Sequence, residues 1–295
     1  MSLLLDIGNT RLKWRWLAAP FGAVEEGVVN LADVGLPAAA SVSSSAAGVA
    51  EALAACMGKV SLVGERPEAV VHEALLSCVA DEAVARVVAQ AVRRLGCLPY
   101  RMLATAQACG VTNAYVEPEL LGVDRWLGLI AVRAHALGAA CIVGVGTALT
   151  VDVLDSAGRH QGGLIVPGPE LMRDALFTRT AQIGPAARRA APALRDGLGV
   201  NTGGAIHEGS WLAGAALAAR VADDFAARTG QPVAVYLTGG GAEVVAERMW
   251  AAGCHSPLVP AAELRPDLVL QGLACVAAAR AAGQPVPGCW LVAER

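Results

Sequence analysis

The sequence predicts an α/β protein built from two related halves that face one cleft. Three observations lead there. Short strand-like apolar runs alternate with helix-period segments along the chain. A unit of strand, glycine turn, hydroxyl and second strand at residues 3–16 recurs at residues 141–152. At 295 residues with 55% apolar side chains, the chain is long and apolar enough for one large or two medium domains with buried cores. Alanine is abundant and aromatics are scarce, so its helices are expected to pack closely through small side chains.

The first unit opens on Leu3, Leu4 and Leu5, an apolar strand run ended by Asp6. Ile7-Gly8-Asn9-Thr10 supplies turn chemistry: glycine for an unusual φ, asparagine for left-handed tolerance, threonine for a hydroxyl. Leu12, Trp14 and Trp16 then alternate with Arg11, Lys13 and Arg15, a strand with one apolar and one basic face. Both tryptophans are expected in the core. A carboxylate, backbone N–H groups, a hydroxyl and a lysine thus gather at one hairpin tip, which is equipment for a polyphosphate and its metal. An ordinary hairpin with a capping aspartate fits the same local pattern.

Further strands are expected at 27–31, 60–63 and 99–103, with a small-residue loop entering a helix at 41–53. Residues 79–95 form an amphipathic helix stopped by Gly96. A loop-rich crossing at 104–121 carries the domain boundary near its start, giving domains 1–105 and 106–295, with the final helix free to pack back on the first. Asp124 opens a helix to about Leu137, with Gly138 as its stop. Strands at 141–145 and 149–154 flank Gly146-Thr147-Ala148, and 155–159 is a turn. Helices follow at 169–177, 203–228, 242–252 and 268–282, with an irregular stretch at 184–199 and a strand at 233–237.

Charge and cysteine usage narrow the function. The net charge of −3 and the lack of a basic run give no nucleic-acid signature. The cysteines at 56, 78, 97, 109, 141, 254, 275 and 289 form no CxxC pair, which fits buried thiols of a reducing compartment. An acidic residue and a turn interrupt the first apolar run, unlike a signal peptide. Residues 134–151 lack charged side chains other than histidine, but their glycines and threonines read as a helix end and a strand rather than a membrane span. A soluble, cytoplasmic protein is expected. His72, His135, His160, His207 and His255 form no metal-like cluster in sequence, and Arg188-Arg189 is expected to be solvated.

Familiar phosphate and hydrolase motifs are missing: there is no GxxxxGK[ST], no GxGxxG after a strand, no HExxH and no GxSxG. What remains is three glycine–hydroxyl turns, at Gly8–Thr10, Gly146–Thr147 and Thr238–Gly241, each following a predicted strand. Backbone N–H groups in such turns can receive phosphate oxygens. Gly122-Val123-Asp124-Arg125 is the second informative site. Asp124 reads locally as a plain N-cap, whereas Arg125 opposes the helix dipole and so hints at function. An Asp–Arg pair can orient a substrate hydroxyl and a carboxylate. The weak basicity of a carboxylate at a helix N-terminus is tolerable in phosphoryl transfer, where the base accepts a proton late.

In their order and spacing, DIGNTRLKW at 6–14, GVTNAY at 110–115, GVDRW at 122–126, GTALTVD at 146–152, GGLIVPG at 162–168 and LTGGGAE at 237–243 resemble the type III pantothenate kinases. These enzymes phosphorylate pantothenate in coenzyme A biosynthesis. The resemblance spans nearly the whole chain. It implies the superfamily of acetate and sugar kinases, heat-shock proteins and actin, with two ribonuclease-H-like (actin-like ATPase) domains facing a central cleft and a homodimeric assembly. By resemblance, Asp6, Gly8, Asn9, Thr10 and Lys13 contact ATP and its Mg2+, with Asp6 on the metal side. Asp124 is the acceptor of the pantothenate hydroxyl proton. Tyr115, Gly122, Val123, Asp124 and Arg125 line the pantothenate site, with Arg125 suited to the substrate carboxylate. Thr147 binds ATP phosphates, and Thr202 matches a substrate-contacting threonine.

One departure stands out. Where the family often carries an aspartate that helps bind a monovalent cation, K+ or NH4+, this chain has Gly144. No cation ligand is therefore assigned, and Asp6 is the carboxylate left at the two turn tips. Two alternatives stay open: a kinase-derived regulatory or accessory protein, and a kinase of the same superfamily for another small hydroxylated substrate.

Overall fold

The structure, a computed structural model, describes residues 2–18, 22–34, 36, 46–56, 72–180, 183, 191–251 and 257–292. In chain order the elements are β1 (Ser2–Ile7), β2 (Arg11–Ala18), β3 (Gly22–Asn30), α1 (Ala46–Cys56), β4 (His72–Cys78), α2 (Glu82–Arg94) and β5 (Cys97–Met102). The short β6 (Gln107–Ala108) and β7 (Val111–Thr112) precede α3 (Val123–His135). Then come β8 (Ala139–Val145), β9 (Ala148–Leu154), β10 (His160–Pro167), α4 (Pro169–Arg179), β11 (Leu194–Arg195) and β12 (Leu198–Gly199). The chain finishes with α5 (Thr202–Thr229), β13 (Val233–Thr238), α6 (Ala242–Ala251), β14 (Glu263–Leu264), α7 (Leu268–Ala281) and β15 (Cys289–Leu291).

Contacts divide the chain into a first unit, Met1–His135 with Leu268–Arg295, and a second, Ala136–Asp267. This division lies at 135/136, whereas the sequence suggested a boundary near 105. The physical reason is α3: it packs on α7 and β4, so the crossing at 104–121 stays within the first unit. The α3–α7 contact is backbone-close. A Cβ on Gly272 would sit 2.2 Å from the Leu127 carbonyl oxygen, so only glycine fits there.

The two sheets share a five-strand topology, to which the first adds β15, antiparallel to β5. In the first unit the order is β15-β5-β4-β1-β2-β3, with β1, β2 and β3 antiparallel neighbours, β4 parallel to β1 and β5 parallel to β4. In the second the order is β10-β9-β8-β13-β14, again three antiparallel strands with β13 parallel to β8 and β14 parallel to β13. Each is the ribonuclease-H-like arrangement, and the repeat read from the two hairpins extends to whole sheets. Asp6 and Gly144 hold equivalent places, two residues before the turn glycines Gly8 and Gly146. Asp6 lies level with Lys13 on β2 and Ser77 on β4. Gly144 lies level with Thr150 on β9 and Thr238 on β13.

In the first unit, Leu3, Leu5 and Ile7 of β1 join Leu12, Trp14 and Trp16 of β2 in one core with the valines and alanines of α2. Trp14 is 3% and Trp16 1% exposed, so both are core residues, and the Trp14 indole fills the space above Gly27. The α2 helix starts at its N-cap Asp81, whose Oδ1 accepts a 2.8 Å hydrogen bond from the Ala83 N–H. Gly96, at φ +82, follows its end. The core of the second unit rests on the small-residue stripe Ala215, Ala218, Ala222 and Ala226 of α5.

Several local expectations are corrected. Neither Gly8 nor Asn9 adopts a left-handed φ. Gly8 instead gives clearance, since a Cβ there would lie 3.3 Å from the Arg11 carbonyl oxygen. The central strand β4 and the edge strands β10, β14 and β15 were not anticipated. The α3 helix ends at His135, and Gly138 is not a left-handed stop. Residues 134–151 are the end of α3, β8, a turn and the start of β9, and among the described residues no helix is long and apolar enough to cross a membrane. The strand expected at 60–63, Arg188-Arg189, Cys254 and His255 lie outside the described residues. Cys78, Cys97, Cys109, Cys141, Cys275 and Cys289 are free thiols. His160 is buried against Asp152, Nε2 to Oδ1 at 2.9 Å.

Candidate active site

In the first unit the β1–β2 turn exposes Asn9 and Thr10, while Gly8, Asp6 and Lys13 are half-buried behind it. Asp6 is the next-to-last residue of β1, paired with β2 on one side and β4 on the other. Ser77 Oγ donates to Asp6 Oδ1 at 3.2 Å from β4, and Lys13 is its cross-strand neighbour on β2. Burial pushes the Asp6 carboxyl from 3.8 up to about 6. The Lys13 charge opposes this rise, the nearby Asp124 charge adds to it, and the Ser77 hydrogen bond opposes it. Asp6, Lys13, Ser77 and Asp124 are thus one electrostatic group. Ser77, 0% exposed, is the member that sequence reasoning missed. A strand reading of 72–78 would have set it level with Asp6.

Asp124 is not the N-cap of α3. The helix begins at Val123, and the Gly122 carbonyl already accepts from the Trp126 N–H at 2.9 Å. Asp124 is therefore in the first turn, where its Oδ1 accepts from the Arg125 N–H at 2.8 Å. Gly122 leaves room for this rotamer, because a Cβ there would lie 2.8 Å from that same Oδ1. Val123 is buried next to it. Arg125 is not a surface residue: it is 7% exposed. Its Nη1 donates to the Tyr115 hydroxyl at 2.9 Å, and its guanidinium lies 5.6 Å from the Tyr115 ring centre. A buried guanidinium is costly without such partners, and the Tyr115 hydroxyl and ring supply them here.

In the second unit the glycine turns converge. Gly146 and Thr147 are exposed at the β8–β9 tip. The Gly168 N–H donates to the Thr147 carbonyl at 2.8 Å, and the Gly241 N–H to the Val145 carbonyl at 3.2 Å. A Cβ at Gly168 would lie 2.1 Å from the Gly146 oxygen, and one at Gly239 (φ +96) 2.2 Å from the Val145 oxygen. Two helix N-termini, those of α4 and α6, start directly after Gly168 and Gly241, which is a favourable setting for anions. At Gly144 a Cβ would lie 2.7 Å from Thr150 Oγ1, so the Thr150 hydroxyl occupies the space of the missing side chain. Thr202 is the exposed first residue of α5, behind the N-cap Asn201 whose Oδ1 accepts from the Gly204 N–H at 2.6 Å.

A family model described as type III pantothenate kinase matches residues 2–224. The chain belongs to the type III pantothenate kinase family. A type III pantothenate kinase of Halorhodospira halophila is 38% identical over 279 residues, covering 92% of this chain and 96% of the relative. One of Aromatoleum aromaticum is 35% identical over 277 residues, covering 94% and 98%. A solved Sinorhizobium meliloti structure, provisionally assigned as a 2-dehydro-3-deoxygalactonokinase, aligns over 96% of this chain and 99% of its own with a TM-score of 0.51 at 13% identity. That likeness concerns the fold alone.

Proposed function

We propose that this chain phosphorylates pantothenate with ATP to give 4′-phosphopantothenate, the first step of coenzyme A biosynthesis. The observation that carries the reading is the adjacency of Asp124 and the buried Arg125 at the start of α3: a proton acceptor and a carboxylate receptor in one helical turn. Family membership supports it. Asp124 orients the pantothenate hydroxyl and takes its proton as the new O–P bond forms and the β–γ bond of ATP breaks, releasing ADP. Arg125, supported by Tyr115, receives the pantothenate carboxylate. Gly122 and Val123 shape that pocket, and Thr202 contacts the substrate. Asn9, Thr10, Gly8 and Lys13 receive ATP phosphates from one hairpin, and Thr147 from the other.

Mg2+ is the divalent ion of this reading, and Asp6 is the residue that would hold it with the phosphates. The fit is one of donor type, since Mg2+ takes hard oxygen ligands from one or two carboxylates and fills the rest with phosphate and water. When bound, it supplies neutralisation of phosphate charge. A monovalent cation, K+ or NH4+, would rely on carbonyl and hydroxyl oxygens near Gly144 rather than on a carboxylate. The assembly proposed is a homodimer in the cytoplasm. In its support, the edge strand β10 and helix α4 expose Leu164, Ile165, Leu171 and Leu176.

The test is a coupled ADP-release assay with pantothenate, glycerol and simple sugars, with MgATP, in K+, NH4+ and Na+ buffers. Turnover is expected with pantothenate alone among these acceptors. No turnover with pantothenate in any cation contradicts the reading and favours a regulatory role; faster turnover of another acceptor reassigns the substrate.

A further inference from the structure

The crossing between β5 and α3 carries almost no regular structure, yet it delivers Tyr115 to Arg125. One side chain organises it. Asn113 Nδ2 donates to the Thr105 carbonyl at 3.2 Å and to the Pro118 carbonyl at 3.1 Å. Asn113 Oδ1 accepts from the Tyr115 N–H at 3.0 Å. Its own N–H donates to the Ala106 carbonyl at 2.8 Å. Both amide protons are thus used, and the oxygen faces a donor, so the three partners admit one orientation of the amide. The bonds join the base of the β6–β7 hairpin, the bend at Tyr115 and the short 3-10 turn Pro118–Leu120, whose end leads directly to Gly122 and Asp124. Tyr115 then accepts from Arg125 at 2.9 Å.

We propose that Asn113 is a positioning residue of the substrate site, setting Tyr115 and, through its hydroxyl, the Arg125 guanidinium that receives the substrate carboxylate. The proposal rests on the function given above. Asn113 does not touch substrate; it holds the backbone from which Tyr115 reaches Arg125. No other amino acid supplies two donors and one acceptor at this length. Aspartate has the shape but turns an oxygen toward two carbonyl oxygens, and alanine leaves both carbonyls without their donor.

The experiment compares wild type, Asn113→Ala, Asn113→Asp, Tyr115→Phe and the double variant Asn113→Ala/Tyr115→Phe. Initial rates are measured with pantothenate, with its neutral carboxamide analogue, and with varied MgATP. The expected result is a rise in KM for pantothenate on the order of tenfold in both Asn113 variants, with KM for MgATP within about twofold of wild type. The preference for pantothenate over the neutral analogue should fall in parallel, and the double variant should be scarcely worse than Tyr115→Phe. Equal rises in both KM values, an unchanged preference, or multiplying single effects would overturn the proposal. Should Asn113→Ala fail to fold, Asn113→Ser, which keeps one donor, carries the same readouts. A wild type inactive on pantothenate removes the functional reading and this proposal with it. An active wild type with unaffected Asn113 variants removes the proposal alone.

Discussion

Ser77 donates a 3.2 Å hydrogen bond to Oδ1 of Asp6 across the parallel pair of β1 and β4. The bond spans 71 residues of sequence and ties the β1–β2 hairpin to the centre of its sheet. Ser77→Ala removes a buried donor from a carboxylate, a loss of about 1–3 kcal/mol when the partner is charged. The expected outcome is a lower Tm and a several-fold higher KM for MgATP, with KM for pantothenate little changed. Thermal unfolding and initial-rate kinetics on the same preparation check it.

Asp6 also makes stability depend on pH. Its carboxyl is at about 6 in the folded chain against 3.8 as a free side chain. Between those values the folded state holds a proton that the unfolded state gives up, so stability falls as pH rises through this window and stays lowered above it. Asp6→Asn removes the buried charge. It should therefore raise Tm relative to wild type by about 2–5 °C at pH 8 and by much less at pH 4. Paired melting curves at the two pH values decide this, and the same variant should lose turnover.

Gly168→Ala is expected to be damaging out of proportion to its size. The added Cβ would lie 2.1 Å from the Gly146 oxygen and 2.8 Å from the Thr147 oxygen, both backbone atoms of the β8–β9 turn. The turn must move or the strand must shift. Binding of a non-hydrolysable ATP analogue, followed by calorimetry, should weaken by at least about tenfold, and several kcal/mol of stability should be lost.

Gly122→Ala meets a side chain rather than backbone, Asp124 Oδ1 at 2.8 Å. That carboxylate can rotate away, so the fold should survive with a Tm within about 3 °C of wild type. The rotation displaces the carboxylate proposed as proton acceptor, so kcat should drop by about tenfold or more. A variant with normal kcat would show that the Asp124 rotamer does not matter.

The β1–β2 hairpin was legible because its pattern is local: Leu3 to Asp6, the Gly8 turn and the alternation through Trp16 are adjacent in sequence. The repeat at residues 141–152 was legible for the same reason, and its extension to two matching sheets follows from strands whose pairing the hairpins begin. The β4 strand was not. HEALLSC has no β-branched residue and opens on two polar side chains, and it is a strand because β1 and β5 flank it. With it went Ser77. Asp124 and Arg125 were legible as a pair, but the burial of Arg125 depends on Tyr115, ten residues away, and on a loop held by Asn113. The boundary near 105 followed composition, whereas α3 sits in the first unit through its packing on α7, more than a hundred residues later in the chain.

Asp124 is proposed to accept the proton of the pantothenate hydroxyl, and that role carries the rest. It is tested most directly by kcat of Asp124→Asn with saturating pantothenate and MgATP, alongside binding of pantothenate and the melting temperature. The expected result is a folded variant that still binds pantothenate while kcat falls by about 10²–10⁴. A kcat within a few-fold of wild type would contradict it.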